Sequence, residues 1–273
     1  MKVKKIAIVG ATGKTGQRVL AQLQALEYSV RALSRNSEYP FDWTDRSGWS
    51  KALQGVDSAY VTYFPDLAVP QAAEDIRAFV ELAKSLGVKH IVLLSGRGEE
   101  GAQLAEQLLI GSGLEWNVVR ASWFMQNFSE SFMLEGINAG QLVLPKPKAD
   151  EPFIDVDDIA DVVVAALTRT DLRNLLLEIT GPQLLSFEAC VESIAEATGQ
   201  EITFATASID DYLLGAKAQG LPDDLAWLIN ELFENVLDGR NESTTNMIEK
   251  VLRRPAKSFQ QYVKETARTG VWG

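Results

Sequence analysis

The sequence holds one cysteine, Cys190, and one histidine, His90, in 273 residues. A single cysteine excludes an intrachain disulfide and any cysteine-rich metal centre. A single histidine excludes a histidine cluster for zinc and leaves no Ser-His-Asp arrangement to search for. No metal site is expected. Long hydrophobic runs are missing too, since no apolar stretch approaches the ~20 residues that span a bilayer. Residues 1–5 are basic, but only four apolar residues follow before Gly10, too few for the core of a signal peptide. A cytoplasmic protein is the expectation. Positive charge is scarce, with 26 Lys+Arg against 37 Asp+Glu and a formal net charge of −11. Nucleic acid and anionic membranes both need basic surface, so neither is an expected partner.

What is present fits a folded globular chain, 46% hydrophobic and 23% charged. The length suits one large domain, or a core domain with a smaller appendage. The charge is unevenly spread. Residues 1–35 carry Lys2, Lys4, Lys5, Lys14, Arg18, Arg31 and Arg35 against Glu27 alone, a segment of +6 beside a remainder of −17.

The N-terminal half alternates short apolar runs with amphipathic stretches. Residues 3–9, 28–33, 57–63, 90–94 and 116–119 read as strands. Residues 13–26, 49–53, 70–86 and 101–110 read as helices, the third with Ile76, Phe79, Val80 and Ala83 facing inward. Strands this apolar, separated by helices, predict a doubly wound parallel sheet covered on both faces, an α/β Rossmann fold. After residue 121 the pattern loosens. A short strand is expected at Phe153 and Ile154, a helix to about Leu167 with Ile159, Val162, Val163 and Ala166 buried, and a strand over residues 175–179. From Ser186 onward the chain reads as mostly helical. This predicts a Rossmann core over residues 1–150, completed by 151–180. Residues 181–273 are expected to pack on it as a small, mostly helical substrate lobe or lid.

The strongest chemical signal is Gly10-Ala11-Thr12-Gly13-Lys14-Thr15-Gly16, set between the first strand and the first helix. A phosphate needs close backbone approach, free N–H groups and the partial positive charge of a helix N-terminus, and this turn supplies all three. The spacing is G-x-x-G-x-x-G. Gly13-Lys14-Thr15 also invites reading as the end of a P-loop, but that motif needs glycine where Ile8 stands, which rejects a nucleoside triphosphatase. An NAD-preferring site places an acid about 20 residues past the glycines, on the ribose 2′-hydroxyl. Here Val30-Arg31-Ala32-Leu33-Ser34-Arg35-Asn36 has no acid before Glu38. Ser34 and Arg35 lie where a 2′-phosphate would sit, so NADP(H) is expected over NAD(H), with Lys14 adding to the same field.

With these residues stated, the chain resembles the NmrA-like group of atypical short-chain dehydrogenases, which includes quinone, azo-dye, triphenylmethane and ergot-alkaloid-type reductases and redox-sensing regulators. The resemblance runs over almost the whole chain. Beyond the glycine turn it rests on Arg120-Ala121-Ser122-Trp123-Phe124-Met125-Gln126-Asn127-Phe128, and on Pro152-Phe153-Ile154-Asp155-Val156-Asp157-Asp158-Ile159-Ala160. It implies that Asp42 and Trp43 lie beside the adenine, and that Thr62 and Tyr63 pass near the ribose and pyrophosphate. It implies that Ser95 and Gly96 face the nicotinamide side, and that residues 121–124 form the floor under its ring. The same resemblance assigns Gly96, Ser122, Trp123, Phe124, Asn127 and Phe153 to a substrate pocket.

The departures shape the functional expectation. Ordinary short-chain dehydrogenases carry Tyr-x-x-x-Lys after the fourth strand, and the aligned positions here are Ala102 and Glu106. No Tyr or Lys occurs from Ser95 to Gly113. The resemblance then implies hydride transfer from NADPH to a small conjugated, hydrophobic acceptor such as a quinone, azo compound, iminium or enone. The alternative is a non-catalytic NADP(H)-binding regulator acting through a protein partner. A monomer or a homodimer is expected. His90 is read as structural, Cys190 as core packing, and Asp155, Asp157 and Asp158 as helix-capping rather than metal-binding.

Overall fold

The structure is a computed structural model describing residues 4–273. Lys2 of the basic segment, and Val3 at the start of the first apolar run, lie outside the described residues. The chain divides into two compact units, one built from residues up to Ala121 together with Asp157–Glu178, the other from Ser122–Val156 and Ile179–Gly273.

The first unit begins as the alternating pattern predicts. Its elements are β1 (Lys5–Val9), α1 (Lys14–Ala25), β2 (Ser29–Ser34), β3 (Tyr39–Pro40), α2 (Trp49–Leu53) and β4 (Ser58–Val61). They continue with α3 (Ala72–Ser85), β5 (His90–Gly96), α4 (Glu100–Ile110) and β6 (Glu115–Ala121). The sheet has seven strands in the order β3-β2-β1-β4-β5-β6-β8, where β8 is Leu175–Ile179. Its pairs from β3 through to β6 are parallel. The order reverses between β1 and β4, so a crevice opens at their carboxyl ends, where open α/β sheets take ligands. β1 and β4 are almost wholly buried, as strands covered on both faces must be. One sheet face is sealed by an aromatic cluster, with Phe41 stacked on Trp49 at 5.3 Å and Trp43 edge-on to both. The later segment adds most of α6 (Val156–Thr168), tied to α1 by Arg18 Nε–Asp157 Oδ1 at 2.8 Å and by Gln22 donating to Asp161.

The second unit differs from expectation at its start. Residues 122–156 group with the C-terminal part, not with residues 1–121. The cause is hydrophobic, because Met125, Phe128 and Phe153 share one core with Phe187, Phe233, Phe259 and Trp272. Its helices are α5 (Met133–Asn138), α7 (Phe187–Thr198), α8 (Ile209–Ala218), α9 (Asp223–Glu231), α10 (Met247–Leu252) and α11 (Phe259–Ala267). It also holds a parallel two-stranded sheet, β7 (Gln141–Pro145) with β9 (Thr203–Ala207), which the sequence reading missed. The expected strand at Phe153 and Ile154 is reduced to an isolated bridge between Ile154 and Phe124. The buried polar tips of this core are satisfied. Tyr262 Oη donates to Ser129 Oγ at 2.8 Å, and Trp272 Nε1 to the Phe128 carbonyl at 2.9 Å.

Two residues set aside as structural are buried. Cys190 lies in the α7 core, where burial pushes its thiol well above the ordinary range. His90 opens β5 at the amino edge of the sheet, its Nε2 3.0 Å from Asn117 Oδ1. Burial, with Arg173 nearby, lowers its pKa to about 4, so the ring is neutral at pH 7.

Candidate functional site

The glycine turn sits at the reversal point of the sheet. The N–H groups of Gly10 and Ala11 both donate to the Leu33 carbonyl of β2, at 3.0 and 3.1 Å, and Gly13 N–H closes the turn on Gly10 O at 2.9 Å. Gly10 has φ +76°, which L residues rarely adopt. A Cβ there would strike Thr62 Oγ1, while Thr62 itself donates to Val9 O at 3.1 Å. A Cβ on Gly16 would collide with the Gly10 carbonyl oxygen, so helix α1 touches the turn backbone directly. The N-cap of α1 is Gly13, and no side chain caps the helix. The helix start therefore presents backbone N–H groups, not a capping side chain, to the turn's open side. A cradle of backbone, too tight for side chains and ending in an uncapped N-terminus, fits a pyrophosphate.

The other expected cofactor contacts divide by how their side chains are engaged. Thr12 and Gly13 are exposed on the turn. Thr15 is turned inward, where its hydroxyl accepts a 2.9 Å bond from Tyr60 Oη, so it offers a ligand only its backbone. Ser34 ends β2, its N–H donating to Ser37 Oγ at 3.0 Å. Arg35 follows, exposed, with its guanidinium 5.7 Å from the centre of the exposed Phe64 ring. Arg31 is captured instead. Its Nη1 donates to the Ala52 and Gln54 carbonyls at the end of α2, at 2.7 and 3.0 Å, and it stacks on Tyr39. Beside Arg35 lies a pocket of about 320 Å³, lined also by Asp42, Asp45, Ser47 and Lys51. The Thr44 N–H and hydroxyl both bond Asp42, and this holds its carboxyl below the usual carboxylate range. Lys51 brings a second cation to the pocket, and the sequence reading missed it. Trp43 is packed in the aromatic cluster, its Nε1 donating to Thr62 O at 3.1 Å. Tyr63 donates to Asp75 Oδ2 at 2.7 Å, and burial with that bond raises its pKa well above a free phenol.

At the end of β5, Ser95 donates to Glu106 Oε1 at 2.6 Å. Glu106, fully buried on α4, also accepts two bonds from Arg120 of β6, whose third nitrogen reaches Glu178 Oε2 at 3.2 Å. Arg97 holds the other oxygen of Glu178 at 2.9 Å. The position aligned with the dehydrogenase lysine is therefore an acid in a closed ion-pair network. Gly96 is the last residue of β5, and a Cβ there would run into the Glu99 carboxylate.

The expected substrate residues after Ser122 all lie in the second unit. Ser122 is buried, with Oγ donating to Pro152 O at 2.6 Å. Trp123 packs edge-on against Phe187 and Phe233, at 5.4 and 5.5 Å. Phe124 and Asn127 are half-buried, in and beside a 3-10 turn over Met125–Phe128. Phe153 is 1% exposed, inside the cluster of Phe128, Phe187 and Phe259. Asp155 is buried beside Gln126 and Lys257, and the same Gln126 accepts from the Val156 N–H at the start of α6.

Comparison with known proteins agrees with this geometry. Residues 10–170 match the NAD(P)H-binding family model. The chain is 30% identical to the uncharacterized oxidoreductase YesF of Bacillus subtilis, over 100% of this chain and 98% of that one. It is 28% identical to an NAD(P)H azoreductase of Xenophilus azovorans, over 96% of this chain and 98% of that one. An NADPH-dependent quinone oxidoreductase from Escherichia coli, solved with NADPH, superposes with a TM-score of 0.80 at 21% identity, over 95% of this chain and 99% of that one. The chain belongs to the NAD(P)H-binding family, as an NAD(P)H-dependent oxidoreductase.

Proposed function

We propose that the protein is an NADPH-dependent reductase that passes hydride to a small conjugated acceptor, a quinone, azo compound, iminium or enone. The observation that carries this reading is the combination of the uncapped turn at residues 10–16 with the exposed Arg35 at the end of β2. The turn binds pyrophosphate through backbone N–H groups. Arg35, with Lys51 across the adjoining pocket, takes the 2′-phosphate. Bound NADPH supplies the hydride, and the chain's residues bind, orient and exclude water. Ser95 directs its hydroxyl to Glu106 and Tyr63 to Asp75, so neither serves as the phenol-type donor of ordinary dehydrogenases. The names of the azoreductase and the quinone oxidoreductase support the acceptor class. The aromatic segment around Trp123 suits a planar hydrophobic ligand.

The test is acceptor-dependent NADPH oxidation across quinones, azo dyes, iminium salts and enones. Turnover with at least one class is expected. Tight NADPH binding without any turnover would reject the enzyme reading in favour of a cofactor-sensing regulator. A second measurement checks the 2′-phosphate. Arg35→Asp is expected to raise the NADPH Kd about 10- to 100-fold, roughly 1.4–2.8 kcal/mol, while NADH changes less than about threefold. Equal losses for both cofactors would place the 2′-phosphate elsewhere.

A further inference from the structure

One wall of the pocket beside Arg35 is a 3-10 turn, Arg46–Gly48, that runs straight into α2. Asp45, Ser47 and Gly48 line the pocket. Asp45 caps the turn, its Oδ1 accepting from the Ser47 N–H at 2.9 Å. Gly48 lies against β3, where a Cβ would come within 3.0 Å of the Pro40 carbonyl oxygen. Arg46 reaches out of the turn to α3. Its Nη2 donates to Asp75 Oδ1 at 2.7 Å, and its guanidinium carbon stands 5.6 Å from the centre of the Trp49 ring. A three-residue 3-10 turn has little hydrogen bonding of its own, so an anchor outside its backbone decides where it lies.

Asp75 is 5% exposed, and a carboxylate this buried needs a donor on each oxygen. The second donor is Tyr63, whose Oη bonds Oδ2 at 2.7 Å. Tyr63 follows Thr62, and Thr62 stands against the glycine turn. Its Oγ1 occupies the space a Gly10 Cβ would need and donates to Val9 O at 3.1 Å. Trp43 bonds the Thr62 carbonyl through Nε1 at 3.1 Å and packs 4.7 Å from the Tyr63 ring. One buried carboxylate therefore joins two places. Through Oδ1 it holds the pocket wall, and through Oδ2 the strand end beside residues 10–16. With the Asp75 charge removed, the acid left to Arg46 is the exposed Glu74, 3.8 Å away, a weak and screened partner.

We propose that Asp75 is a positioning residue for the 2′-phosphate of the cofactor, acting through Arg46 to fix the wall that faces Arg35 and Lys51. The inference rests on the 2′-phosphate placement above. Asp75 lies outside the pocket lining, so its effect is on the shape of the site. That effect falls on NADPH more than on NADH, because NADH brings only a hydroxyl to the pocket. Asp75→Asn isolates the role. The amide still gives Tyr63 a polar partner, since a hydroxyl both donates and accepts, but it takes the charge from Arg46.

The test is the Kd of NADPH and of NADH for Asp75→Asn and Arg46→Leu, titrated by cofactor fluorescence with thermal unfolding alongside. The two substitutions change the net charge in opposite directions, which separates position from field. A field alone predicts that Arg46→Leu weakens NADPH, and that Asp75→Asn, by removing a negative charge, tightens it. Positioning predicts that both weaken NADPH, at least about tenfold, with NADH changed less than about threefold. The double variant is expected to be no worse than the weaker single one, because both break the same link. Arg46 lies at the surface, so Arg46→Leu decides the matter even where Asp75→Asn fails to fold. Its loss relative to the parent is expected to persist in about 1 M salt, where a field is screened within ~3 Å. Tighter NADPH binding by Asp75→Asn, or an Arg46→Leu loss that vanishes in that salt, leaves only a field and overturns the proposal. An unchanged NADPH-to-NADH ratio in both variants overturns it as well. The 2′-phosphate placement then still stands if the parent prefers NADPH and Arg35→Asp abolishes the preference. A parent that binds both cofactors equally defeats that placement, and the positioning role with it.

Discussion

Arg120→Leu is expected to destabilise the protein by about 3–5 kcal/mol, the range for removing one partner of a buried ion pair. Glu106 is fully buried and would keep only the Ser95 hydroxyl as a partner for its Oε1, with nothing in the ion-pair network to replace the Arg120 bonds to both oxygens. Glu178 suffers less, because it is 30% exposed and retains Arg97 at 2.9 Å. The penalty thus belongs to Glu106, whose charge has no route to water. Glu106→Gln in the Arg120→Leu background should recover most of the loss, because an amide removes the buried charge at almost constant shape. Urea unfolding followed by circular dichroism measures all three variants against the parent. A loss below about 1 kcal/mol for Arg120→Leu would mean that water reaches Glu106 in solution.

Gly16→Ala should raise the NADPH Kd at least about 100-fold, near 3 kcal/mol. Helix propensity alone predicts the opposite sign for stability, since alanine exceeds glycine by about 1 kcal/mol inside a helix. Here the new methyl meets the Gly10 carbonyl oxygen, and backbone cannot swing aside as a flexible side chain would. The turn must open, which misaligns the N–H groups that start α1. Gly215→Ala supplies the control. Gly215 lies within α8 and a Cβ there meets nothing within 4 Å. That variant should leave cofactor binding unchanged and gain several tenths of a kcal/mol in stability. Titration of both variants by cofactor fluorescence, with thermal unfolding alongside, separates the two effects. Unaltered affinity in Gly16→Ala would show that the turn tolerates a wider opening than its contacts imply.

The parts of the fold legible in the sequence are those written in continuous apolar runs. β1, β4 and β5 are buried on both faces, so their composition alone marks them, and α2 falls over the expected residues. β7 and β9 escaped because their burial alternates or is partial, and each pairs only with the other. The boundary at Ser122 carries no glycine, proline or charge run, and only shared core packing defines it. In the site, the glycine turn was readable because steric exclusion of side chains leaves a composition trace. The fate of Arg31 was not, because its partners are backbone carbonyls 21 and 23 residues away, which no side chain signals.

The split make-up of the first unit has a consequence for biosynthesis. Its sheet ends with β8 and its α1 leans on α6, yet both arrive only after the intervening Ser122–Val156 has been made. A nascent chain that has emerged only as far as Ala121 lacks β8, the strand that flanks β6 in the finished sheet, and Glu178, the second carboxylate partner of Arg120. The first unit cannot close vectorially as it leaves the ribosome; it must wait while residues of the other unit pass. The order of translation and the order of completion are therefore interleaved, and the exposed β6 edge is the surface a growing chain must protect in that interval.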